Sequence, residues 1–123
     1  MNAGTWKSNW ISVSNKDREL SQDPYFINDF GLNKKIISAN LYITSRGVYE
    51  AHINGNRLGD SFLTPGWTSY KNRIQYQAYE VKDMLKTGEN RIGVILADGW
   101  FKNFRPNRRD DGSNQYAFQY GNH

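Results

Sequence analysis

Cysteine is absent from the 123 residues, which excludes a disulfide framework, a zinc-thiolate site and a cysteine nucleophile. Long apolar runs are absent as well. Nothing has the length of a membrane-spanning helix, and the opening MNAGTWKSNW lacks the apolar core of a secretory leader. No membrane partner is expected. The compartment stays open, since a cytoplasmic, periplasmic or secreted parent could each contribute such a stretch. Histidine is scarce. His123 is terminal, and His52 has no Ser, Asp or second His arranged around it along the chain. A catalytic triad and a histidine metal pair are therefore rejected.

Charge of one sign is modest, with a net value of +4. Part of it comes from Lys102, Arg105, Arg108 and Arg109, which are followed at once by Asp110 and Asp111. A loop of mixed sign is more often solvated surface than a nucleic-acid groove. A single-stranded nucleic-acid binder of OB type would need aromatics on a strand face with cations interleaved. Here the cations gather in one late loop, so nucleic acid is not expected as a partner.

Aromatic residues are plentiful at 15% of the chain, including eight Tyr and four Trp, and with the β-branched residues they favour sheet over helix. TWKSNWISV, residues 5–13, reads as a strand followed by a polar lead-in to Asp23, and PYFINDFGL after it reads as a short strand. In KIISANLYITS, Ile37, Ala39, Leu41 and Ile43 share one face, the period of a strand with one buried side. Arg46-Gly47 breaks that run. VYEAHIN then places Tyr49, Ala51 and Ile53 opposite Val48, Glu50 and His52. Asn54-Gly55 is a hairpin signal, because a type I′ turn needs positive φ at both central positions. RIQYQAYEV alternates Ile74, Tyr76 and Ala78 against Gln75, Gln77 and Tyr79; KDMLKTGEN holds at most one helical turn, closed by Gly88. RIGVILAD is the most apolar strand, with Ile92, Val94 and Leu96 facing one way. About seven β-segments at this spacing predict an all-β antiparallel sandwich. One domain is expected over 1–123: an N-terminal strand and lead-in (1–23), a sandwich core (24–101), and a loop with a last strand (102–123).

Taken together and in order, GVYEAHINGNRLGD, TPGWTSYKNRIQYQAYEV, KTGENRIGVIL and DGWF closely resemble the N-terminal β-sandwich domain of bacterial α-L-rhamnosidases, the family-78 glycoside hydrolases. The likeness runs from about Leu32 to Phe101, with a looser echo of the galactose-binding-like domains of other sugar hydrolases. It implies a jelly-roll-like sandwich placed upstream of a large helical (α/α) barrel that holds the catalytic carboxylates. Hydrolysis of a glycoside needs two carboxylates flanking the bond, and no family motif places such a pair here. The chain alone is expected not to be an enzyme. Beyond Phe101 the sequence diverges from the family, so the sandwich is expected to be incomplete at its C-terminal side. The unpaired edge this leaves is expected to promote self-association.

Candidate sugar-contacting residues follow from chemistry. An aromatic plane packs against the C–H face of a sugar ring, and LTPGWTSYKNR carries Trp67 and Tyr70 in a turn. Trp67, beside Pro65-Gly66, is expected to fold back as a plug over the core, leaving Tyr70 as the exposed one. In ADGWF, Asp98 and Trp100 at a strand end combine a hydroxyl acceptor with a ring, although Asp98 equally suits a backbone-capping role in the turn. Asp110, Asp111 and Asn114 around a glycine do not have EF-hand spacing, so calcium has no supporting motif; no cofactor is expected. Glu50 and His52 are read as a solvated strand face, and NGNRLGD and TGEN as structural. The leading function is a non-catalytic accessory domain of an α-L-rhamnosidase-like hydrolase that packs on the barrel and contacts substrate. The alternative is an independent module binding a rhamnose-containing glycan.

Overall fold

The computed structural model describes residues 7–13, 23–68 and 72–99. Among them are six strands: β1 (Tyr25–Leu32), β2 (Asn40–Ile43), β3 (Val48–Ile53), β4 (Asn56–Arg57), β5 (Gln77–Glu80) and β6 (Gly88–Ala97). A 3-10 turn, Lys82–Met84, precedes β6. The fold is all-β and antiparallel. One sheet has the order β1-β6-β3-β4 and the other pairs β2 with β5.

The period-2 pattern of β3 explains why it sits at the centre of the core. Tyr49, Ala51 and Ile53 are buried at 6%, 2% and 2% exposure, while Val48, Glu50 and His52 face the other way. Ile92, Val94 and Leu96 of β6 pack beside them, and Leu41, Ile43 and Tyr79 of the small sheet close over them. The two sheets thus share one core, as a sandwich requires. Asn54 (φ 51) and Gly55 (φ 84) make the expected hairpin turn, with His52 and Ile53 pairing Arg57 and Asn56.

Two local expectations are corrected. Ile37 is 84% exposed, because β2 begins only at Asn40 and the pattern preceding it has no ladder partner among the described residues. Residues 7–13 form no strand. Alternation specifies a face, but a strand also needs a neighbouring edge. Trp10 instead sits under the Arg46 guanidinium, 5.0 Å from ring centroid to Cζ, a cation–π contact. On β5, Gln77 and Tyr79 form the inward face and Ala78 the outward one. The amide of Gln77 is drawn inward by hydrogen bonds: its Oε1 accepts from the Tyr49 hydroxyl at 3.0 Å and its Nε2 donates to the Pro65 carbonyl at 3.3 Å.

Candidate functional site

The Pro-Gly-Trp loop is held from both sides. The Tyr49 backbone N–H donates to the Thr64 carbonyl at 2.7 Å, and the Thr64 hydroxyl donates to the Tyr49 carbonyl at 2.9 Å. Gln75 Nε2 donates to the Trp67 carbonyl at 3.4 Å, which ties the loop to the segment entering β5. Thr64 and Pro65 are buried, and they close this end of the core. Beneath them, burial pushes the Tyr49 phenol well above its ordinary range, with the Tyr79 hydroxyl reinforcing the shift. Trp67 is therefore not the plug expected of it. It is 66% exposed, with Phe62 at 78% and Leu63 at 58% on the same loop. Leu63 also takes a left-handed backbone (φ 56), an uncommon conformation for a branched apolar residue.

Asp98 follows β6 and is exposed. Tyr49 pairs with Thr64 on one side and Leu96 on the other, so the Trp67 loop and Asp98 lie at the same end of the sandwich, where β3 begins. Tyr70 and Trp100 lie outside the described residues. So do Asp110, Asp111 and Asn114, the cations from Lys102 to Arg109, and the proposed last strand QYAFQYGNH. Among the described residues no group of three His, Asp or Glu side chains could hold a metal ion.

A second constellation occupies the outer face of the four-stranded sheet, where sequence reasoning placed only solvated residues. Tyr25 pairs with Ile95 and Ile95 with Glu50, while in the neighbouring row Ile27, Gly93, His52 and Arg57 follow one another across the sheet. Gly93 leaves a gap in that surface. The Tyr25 ring lies into it: a Cβ at position 93 would strike the Tyr25 hydroxyl and stand 2.9 Å from its Cζ. The result is a depression of about 310 Å³ bounded by Tyr25, Ile95, Glu50, His52 and Arg91.

Its charges are paired. Glu50 Oε1 lies 2.8 Å from His52 Nε2, and Glu50 Oε2 lies 3.2 Å from Arg57 Nε. An ionised carboxylate only accepts, so His52 Nε2 carries the shared proton. That hydrogen bond, with the Arg57 charge adding to it, holds the Glu50 carboxyl below its ordinary value of 4.5. Arg91 grips Asp29 through two bonds of 2.5 and 2.7 Å, and this holds the Asp29 carboxyl below 3.8. Arg57 also donates to the Ser61 carbonyl at 2.8 Å and lies 4.4 Å over the Phe62 ring, linking this face to the loop. Glycoside hydrolysis needs a general acid whose pKa is raised. Both of these carboxyls are shifted the opposite way.

Residues 34–122 match the model of the α-L-rhamnosidase N-terminal domain. The chain belongs to this family. As an α-L-rhamnosidase N-terminal domain, it is 38% identical over 108 residues to an α-L-rhamnosidase of Formosa agariphila, covering 81% of this chain and 12% of that protein. The structure of native α-L-rhamnosidase from Aspergillus terreus aligns with a TM-score of 0.61 at 47% identity, over 62% of this chain and 9% of that one. The Streptomyces avermitilis α-L-rhamnosidase complexed with L-rhamnose aligns with a TM-score of 0.63 at 42% identity, over 65% and 8%. The chain thus spans about a tenth of the length of the relatives it matches. The resemblance read from the strand and turn motifs is confirmed, and with it the β-sandwich, but the match runs on to residue 122, past the Phe101 at which the sequence reading ended it.

Proposed function

We propose that this domain is a non-catalytic accessory unit of an α-L-rhamnosidase: it packs on the helical barrel that carries the catalytic carboxylates and contacts rhamnoside substrate near the barrel mouth. The observation that carries this reading is the family match over residues 34–122, in proteins about ten times longer than the matched part. The exposed Phe62, Leu63 and Trp67 support the packing. They stand on a backbone pinned to β3 and β5, and apolar side chains presented so rigidly suit an interface between domains. Asp98 at the same end of the sandwich suits a hydroxyl contact, and Trp67, Tyr70 and Trp100 are the candidate stacking rings.

The non-catalytic half of the proposal is tested by incubating the purified chain with an aryl α-L-rhamnoside and following release of the phenol between acid and neutral pH. No release above the buffer rate is expected. Turnover that disappears in Glu50→Gln or Asp98→Ala would overturn it.

A further inference from the structure

We propose that the depression over Gly93, on the outer face of the four-stranded sheet, binds a neutral sugar ring. The inference deepens the accessory-domain reading and rests on it for the choice of L-rhamnose as the first probe.

Three properties select the ligand. The first is an aromatic wall. Tyr25 is 55% exposed although its ring lies into the gap left at Gly93, and Ile95 beside it is 39% exposed. An aromatic ring beside an aliphatic side chain offers a flat apolar surface for the C–H face of a pyranose. The second is the density of oriented polar groups. Glu50 is fixed between His52 and Arg57 and Arg91 is fixed by Asp29, so their orientations are set before a ligand arrives. The carboxylate has lone pairs left to accept from hydroxyls, and the guanidinium of Arg91 has donors left to give. The third is charge balance. Every ionic group at the rim already faces its opposite, so the site offers no net field for an anion or a cation. A ligand rich in hydroxyls, uncharged, and apolar on one face satisfies all three. The volume of about 310 Å³ sits at the lower end for small-molecule sites, which suits one ring and not an extended chain.

The sequence motifs that carry the family likeness do not single out this site. Tyr25 lies before the matched residues 34–122, and its ring reaches Gly93 only through the pairing of β1 with β6.

The test is a ¹H–¹⁵N NMR titration of the chain with L-rhamnose, with D-glucose and D-glucuronate as comparison ligands. Saturable shifts are expected at the amides of Glu50, His52, Arg91 and Gly93, with a Kd of about millimolar, the strength of roughly 4 kcal/mol of binding. Tyr25→Ala and Glu50→Gln are each expected to weaken binding about tenfold or more, with Tyr25→Phe retaining it; ~1.4 kcal/mol is a factor of ten. Because Tyr25 is on an exposed edge, its variants keep the folded spectrum as an internal control. Absence of saturable shifts with any neutral sugar overturns the proposal, as does tighter binding of glucuronate. Shifts centred on Trp67 and Asp98 also overturn it while leaving sugar contact by the accessory domain intact. Shifts at the same four amides that follow protein concentration without sugar would assign the surface to a second copy, again against the proposal.

Discussion

Replacing Asn90 with alanine is expected to lower the unfolding free energy by about 3 kcal/mol or more. Asn90 is 2% exposed and uses its whole amide. Its Oδ1 accepts from the Lys86 backbone N–H and from Asn54 Nδ2, both at 2.9 Å. Its Nδ2 donates to the carbonyls of Lys86 at 2.7 Å and Gly88 at 3.0 Å. Asn54 completes the network by donating to the Met84 carbonyl at 2.8 Å and accepting from the Arg91 N–H at 3.0 Å. Two asparagines thus weld the β3–β4 turn to the chain entering β6. Alanine removes four hydrogen bonds and leaves buried partners without replacements, each costing about 1–3 kcal/mol where water cannot enter. Against a total stability of about 5–15 kcal/mol, the loss is large. Urea unfolding followed by tryptophan fluorescence measures it; a loss under about 1 kcal/mol would mean that water takes over the amide's role.

The second large effect is expected at Gly47. A valine there should cost about 3 kcal/mol or more. Gly47 has φ 130, a conformation that side-chain-bearing residues rarely adopt. A Cβ would also press on the Ala97 carbonyl oxygen and stand 3.2 Å from that of Asp98. Those atoms belong to the backbone and cannot rotate away. Gly93 is the instructive contrast. A Cβ there meets only the far end of the Tyr25 side chain, which can swing off the sheet. Gly93→Ala should therefore cost less than about 1 kcal/mol while filling the floor of the depression and displacing its Tyr25 wall. Equal destabilisation at the two glycines would contradict this distinction.

What the sequence reveals depends on whether a residue's partner is close along the chain. The burial of Tyr49, Ala51 and Ile53 was legible because β3 keeps strict alternation. The Asn54-Gly55 turn was legible because its backbone demand is local. The inward face of β5 was hidden, since hydropathy ranks Ile74, Tyr76 and Ala78 above Gln77. Only the fold brings Tyr49 and the Pro65 carbonyl to the glutamine. Trp67 misled for a related reason. Tryptophan is buried on average, but Thr64 and Pro65 already occupy the end of the core. Glu50 and His52 were placed on one outward face, yet nothing local shows that Tyr25 arrives beside them across β6. TGEN was read as structural, and Asn90 explains why. Its partner Asn54 lies 36 residues away.

In the function proposed above, this sandwich serves a rhamnosidase by docking on its catalytic part. The most direct test mixes the chain with the Aspergillus terreus α-L-rhamnosidase from which the matching segment has been removed, and follows complex formation by size-exclusion chromatography and hydrogen exchange. A one-to-one complex in which residues 61–68 become protected is expected. Trp67→Ser should weaken this complex by about tenfold, or roughly 1.4 kcal/mol. Separate elution, with exchange across residues 61–68 unchanged, would contradict it.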